Sequence, residues 1–180
     1  MRKVVVTEFL SLDGVMEAPS WTTSYWNDAI ARFKWGELFA SDALLLGRVT
    51  YQGFAAAWPS QTDDQGFADR MNNLAKYVVT TTLNAGLWNN THLIRCDATK
   101  TIADLKRQDG MDILVGGSAT LSQGLLENSL VDQYNLLVYP LVLGKGKKLF
   151  KDSPLQSKLK LIESCDFGGV TLLRYAVERA

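Results

Sequence analysis

With 180 residues, 47% of them hydrophobic, the chain is sized for one globular domain over residues 1–180 with a substantial core. Its 19 basic and 19 acidic residues cancel, and no run of Lys or Arg exceeds two, which argues against a nucleic-acid surface. One histidine and two cysteines leave neither a disulfide framework nor a recognisable zinc cluster, so no metal is expected. No apolar run approaches membrane-spanning length, and the opening turns polar at Thr7 and Glu8, too early for a signal sequence, so a cytoplasmic location is expected.

Residues 3–10 read as a first strand, followed by turn chemistry at Ser11-Leu12-Asp13-Gly14 and a loop through Pro19 and Trp21. Over residues 25–40, Trp26, Ile30, Phe33 and Leu38 or Phe39 recur at helical intervals, predicting an amphipathic helix with Ser24 as N-cap and its aromatics in the core. Residues 43–46 form an unbroken apolar run, as for a strand covered on both faces, closed by Gly47. A helix is predicted from Arg48 to before Pro59, and another over residues 63–74. The strand at 76–79 ends in three hydroxyls, Thr80, Thr81 and Thr82, which either satisfy themselves locally or receive a ribose or phosphate. Residues 91–95 read as a short edge strand holding His92, the single histidine on which any serine hydrolase would depend, and 102–108 as a helix.

Ile113, Leu114 and Val115 then stop at Gly116 and Gly117, and Leu121 and Leu125 follow at helical spacing. Glycines at such a turn let a ligand approach the backbone, and Ser118 or Thr120 is available to cap a helix whose free N–H groups attract phosphate. The alternative is a plain strand-to-helix turn, because the full dinucleotide fingerprint is missing. A strand at 131–138 leads into Pro140-Leu141-Val142-Leu143-Gly144-Lys145-Gly146, whose spacing does not make a P-loop and which reads as a solvated basic loop. Residues 158–166 and 170–179, separated by Phe167-Gly168-Gly169, predict an antiparallel hairpin added to a mainly parallel sheet.

Three glycine- or hydroxyl-rich segments thus each follow the carboxyl end of an apolar strand: Gly47-Arg48-x-Thr50, Thr80-Thr81-Thr82, and Gly116-Gly117-Ser118-Ala119-Thr120. Ligands of open α/β sheets bind at that edge, so the three are expected to share one crevice. An arginine with hydroxyls beside a glycine-turn helix start suits a dinucleotide carrying a 2′-phosphate, which points to NADPH rather than NADH.

The order and spacing of Ser11-Leu12-Asp13-Gly14, Leu44-Leu45-Leu46-Gly47-Arg48-x-Thr50-Tyr51, Val78-Val79-Thr80-Thr81, Val115-Gly116-Gly117-Ser118, Leu130-Val131-Asp132 and Pro140-Leu141-Val142-Leu143-Gly144-x-Gly146 resemble the dihydrofolate-reductase-like family over essentially the whole chain. Within it the chain looks closest to the reductase domain of riboflavin biosynthesis and its stand-alone bacterial relatives. The resemblance implies a three-layer α/β fold, a mixed, mainly parallel eight-stranded sheet flanked by helices, with NADPH across the sheet's carboxyl edge.

Carried over, Gly47, Arg48 and Thr50 would hold the pyrophosphate and adenosine phosphate side, Thr81 and Thr82 the 2′-phosphate ribose, and Gly116, Gly117, Ser118, Ala119 and Thr120 a second phosphate turn. Residues 11–21 match the family's mobile segment over the nicotinamide, so Asp13 and Trp21 are expected to help close the substrate pocket. Dihydrofolate reductases place a carboxylate on the first helix, for which Asp28 is the nearest acid. No single catalytic residue stands out. The resemblance implies an NADPH-dependent reductase of a pyrimidine or pterin-like small molecule, with a true dihydrofolate reductase and a non-catalytic nucleotide-binding protein as alternatives. An exposed C-terminal strand edge further predicts a homodimer.

Overall fold

The computed structural model describes residues 1–154 and 156–178. In chain order the elements are β1 (Val4–Ser11), α1 (Asp28–Phe39), β2 (Ser41–Gly47), α2 (Arg48–Ala57), α3 (Phe67–Asn73), β3 (Ala75–Val79), β4 (Thr91–Ile94), α4 (Ala98–Arg107), β5 (Asp112–Gly116), α5 (Ala119–Glu127), β6 (Gln133–Tyr139), β7 (Leu159–Asp166) and β8 (Thr171–Val177). They form one eight-stranded sheet in the order β4-β3-β2-β5-β1-β6-β8-β7. The first six strands in that order are mutually parallel, and β8 runs antiparallel to both β6 and β7.

Residue alternation along β1 builds three layers. Val4, Val6 and Leu10 pack with Ile102 and Leu105 of α4 and Leu125 of α5 on one face. Val5 packs on the other with Leu38 of α1, Tyr51 of α2 and Met71 of α3. Because both faces are covered, β1 reads as an apolar run rather than an alternation, and the one charge inside it, Glu8, is buried. The expected fold class is the observed one.

Helix starts differ from the sequence reading, and local hydrogen bonds explain why. α1 begins at Asp28 because the Asn27 side chain accepts from the N–H groups of Ala29 and Ile30, so Ser24 is not the cap. Trp26 therefore precedes the helix. It is 50% exposed and Trp35 38%, so these two aromatics are not core, while Ile30 and Leu38 are fully buried. Asp63 lies outside α3 but caps it, accepting from Phe67 and Ala68. α4 starts at Ala98, four residues before the first apolar member of its stripe, Ile102. The predicted second hairpin strand is observed from Thr171 to Val177; its expected end at Arg179 lies outside the described residues.

Candidate functional site

The parallel strands all present their carboxyl ends to one edge of the sheet, and a cleft of about 1480 Å³ opens there. Gly47, Arg48, Thr50, Thr81, Thr82, Gly116, Gly117, Ser118, Ala119 and Thr120 all line it. The first and third of these turns press against each other. A Cβ on Gly47 would lie 2.2 Å from the Ser118 hydroxyl oxygen, and one on Gly117 would lie 2.8 Å from the Thr50 methyl carbon. Gly117 also holds φ +68°, a left-handed conformation that glycine adopts without a steric penalty.

The helix starts at this edge are left open. Gly47, Asp97 and Ser118, which precede α2, α4 and α5, form no side-chain cap hydrogen bond. Ser118 and Asp97 both sit at positive φ, which turns their side chains away from the capping arrangement. The first residues of all three helices, Arg48, Ala98 and Ala119, line the cleft, so unpaired N–H groups and the positive dipole ends of three helices meet there. By contrast, α1 and α3, whose side-chain caps are Asn27 and Asp63, offer no such seat.

The middle strand end behaves as the local alternative for one of its three hydroxyls. The Thr80 hydroxyl accepts from the N–H groups of Thr82 and Leu83, forming a closed turn that leaves Thr81 and Thr82 exposed. Arg48 is exposed and donates to Gln52 one turn on. Arg95, Cys96 and Asp97, from the β4–α4 connection, and Thr99, in the first turn of α4, also line the cleft. Sequence reading missed this segment because it started α4 at Ile102; a strand end followed by Asp97 and Thr99 was the available signal.

Asp13, Trp21 and Asp28 do not line the cleft. The Asp13 carboxylate accepts from the Ser11 hydroxyl at 2.6 Å and from the N–H groups of Leu143 and Gly144 at 3.1 and 2.9 Å. Those hydrogen bonds favour its charged form and pull its pKa down to about 2. Asp13 therefore stitches the first loop to the 143–148 segment. The bridge between Val15 and Lys148 and the Glu17–Lys147 ion pair extend that seam. Segment 140–148 is thus the expected solvated basic loop, with Lys145, Lys147 and Lys148 exposed, and it is anchored as a strap.

Trp21 donates its ring N–H to the Glu17 carbonyl and packs edge-on against buried Tyr139. It supports the loop from behind, while Met16, Glu17, Ala18 and Pro19 reach the cleft. Asp28 is the acid of the first turn of α1, where it complements the helix dipole. His92 of the edge strand β4 stacks on Tyr77 of β3 and is also absent from the cleft wall.

Beyond the phosphate-like side the wall changes character. Thr7, Glu8, Phe9, Trp26, Lys34 and Trp35 contribute to it. Lys34 Nζ donates to the Thr7 hydroxyl at 3.0 Å, lies 5.2 Å from the centre of the Phe9 ring and pairs with Glu37 at 3.3 Å. An aromatic, partly charged wall beside an anion-binding edge can hold a flat ring against an extended phosphorylated one. Sequence reading used Thr7 and Glu8 only as the point where the first strand turns polar.

The profile of the RibD C-terminal domain matches residues 2–173 of the chain. Bacillus subtilis YyaP is 29% identical over 74% of this chain and 73% of its own length. A Shewanella sp. PV-4 structure named for riboflavin biosynthesis superposes with a TM-score of 0.77, 19% identity and coverage of 98% of this chain and 99% of that one. Acinetobacter baumannii RibD superposes with a TM-score of 0.71 and 18% identity over 99% of this chain and 58% of that one. No described helix is long and apolar enough to cross a membrane.

Proposed function

The chain belongs to the RibD C-terminal domain family, and from that premise we propose that it is an NADPH-dependent reductase of a pyrimidine or pterin-like small molecule. The leading case is the reaction named for a Thermotoga maritima structural relative, reduction of 5-amino-6-(5-phosphoribosylamino)uracil. One observation carries the reading: three separate strand ends and three uncapped helix starts line a single cleft. Its volume exceeds the roughly 300–1,000 Å³ of ordinary small-molecule sites, so a dinucleotide and a second ring fit together.

The residues present suit such a cofactor. The Gly47 and Gly117 surfaces form a cradle that a Cβ would fill, and the α2 and α5 N-termini offer N–H groups to a pyrophosphate. Arg48 is assigned to the adenosine phosphate side, and Thr81 and Thr82 to the 2′-phosphate ribose. Bound NADPH supplies a hydride. The protein's part is to orient the two rings, and the Met16–Pro19 segment, held by the strap, excludes water.

The test is a titration with NADPH followed through tryptophan fluorescence, since Trp26, Trp35 and Trp58 line the cleft. Saturable quenching is expected, and no change at millimolar NADPH overturns the reading. Dihydrofolate reduction gains no support from Asp28, which lies outside the cleft wall. A non-catalytic binding protein would bind NADPH yet oxidise it with no pyrimidine or pterin. The outermost strand β7 exposes Leu161 and Ile162, which supports the homodimer, and sedimentation equilibrium decides it.

A further inference from the structure

One buried acid in the cleft lacks a partner for half of its carboxyl. Thr7 of β1 pairs with Gly116 at the last rung between β1 and β5, so Glu8 stands one residue past that rung, beside the glycine turn. It is 5% exposed and lines the cleft. The Gly117 backbone N–H favours the ionised form of its carboxyl, while Oε1 is buried with no hydrogen-bond partner.

Ionising such a group would leave a negative charge poorly solvated. Burial raises its pKa well above the carboxylate range. The charges around it do not reverse this. Lys34 of α1 favours the ionised form, but Glu37 of the same helix opposes it and is itself paired with Lys34. The Tyr134 hydroxyl of β6, the other titratable group coupled to Glu8, has its own pKa raised and stays neutral.

We propose that Glu8 is the proton-carrying acid of this cleft: its carboxyl donates a hydrogen bond to the heteroatom of a substrate C=N or C=O group and gives that atom its proton when the group is reduced. The proposal rests on the reductase reading and narrows the substrate to a molecule that presents a neutral acceptor, not a cation, to β1. The substrate carbon gains the hydride and its two electrons from bound NADPH. The attached nitrogen or oxygen gains the proton as the Glu8 O–H bond breaks. Lys34 eases the transient carboxylate, which recovers a proton from solvent. A carboxyl held ionised would instead select a protonated ring.

The first measurement is infrared spectroscopy of the ligand-free protein. Wild type is expected to show a protonated-carboxyl band at pH 7 that Glu8→Gln and Glu8→Leu both lack, and absence of that band from wild type overturns the proposal without touching cofactor binding. The second uses 5-amino-6-(5-phosphoribosylamino)uracil as probe, with NADP⁺ for binding and NADPH for turnover. Glu8→Gln keeps a donor, so its affinity is expected to stay within about threefold, whereas Glu8→Leu loses about tenfold. Turnover by Glu8→Gln is expected to fall on the order of 100-fold, the scale of general-acid assistance, and an unchanged rate overturns the proposal.

NADPH fluorescence titration of all three proteins separates the two readings. No binding by wild type sinks the reductase assignment, and the infrared band then still reports on the Glu8 proton. Binding by wild type with no action on the uracil sinks the substrate half of the proposal. Should Glu8→Leu fail to fold, the titration midpoint of the wild-type band decides: a value in the ordinary carboxylate range overturns the claim.

Discussion

Gly47 of β2 lies so close to Ser118, which precedes α5, that a Cβ on the glycine would fall 2.2 Å from the serine oxygen. This contact holds two distant turns of the chain together and sets the spacing of two helix N-termini.

Gly47→Ala is therefore expected to push the turns apart and weaken NADPH at least tenfold. Gly117→Ala adds backbone strain at φ +68°, about 1–3 kcal/mol, to its clash with Thr50. Thermal unfolding and fluorescence titration read both effects. An alanine at Gly36, which meets nothing within 4 Å and stands outside the cleft wall, serves as control.

Arg48→Ala is expected to cost about 1.5–3 kcal/mol of NADPH affinity, the scale of a charged hydrogen bond, and far less for NADH. Its contact with Gln52 lies on the exposed helix surface, so the fold is expected to persist. Equal losses for both cofactors would remove Arg48 from the 2′-phosphate side.

The Asp13 seam carries its own pH signature. Its pKa near 2 lies below the ordinary 3.8, so the ionised state that holds Leu143 and Gly144 persists above 3.8 and is lost as pH falls toward 2. NMR titration is expected to place the midpoint of those two amide shifts near 2. Asp13→Asn is expected to abolish the transition and to speed exchange of both amides.

Lys76 is fully buried in β3, donates to the Asn72 carbonyl and sits 4.1 Å from the centre of the Trp88 ring. Desolvation pulls its pKa to about 8 from the ordinary 10.5. Between those values the unfolded chain binds the extra proton, so stability rises with pH. The melting temperature of wild type relative to Lys76→Met is expected to climb by on the order of 5 °C from pH 8 to pH 10. A flat difference would mean that Lys76 keeps its ordinary pKa.

Much of the architecture was written in local pattern. Unbroken apolar runs such as residues 43–46 marked strands covered on both faces, and the Phe167-Gly168-Gly169 turn marked the antiparallel pair. The glycine and threonine segments at strand ends were legible because turn chemistry is a short-range property. Helix starts were less legible, since Asn27 and Asp63 cap through side-chain bonds that periodicity does not register.

Sequence alone determined the element order, the sheet class and the ten residues at the strand ends, because each follows from neighbours a few positions apart. That those ends share one cleft was expected from the sheet class, but only the tertiary structure decided that the β4–α4 turn joins them and that Asp13, Trp21 and Asp28 stand outside the wall. It alone singled out Glu8, whose meaning depends on what surrounds it. In the chain it is one acid two residues after a run of valines; in the fold its Oε1 is buried without a partner beside Gly117. Burial and pairing join residues more than a hundred positions apart, and no local pattern records them.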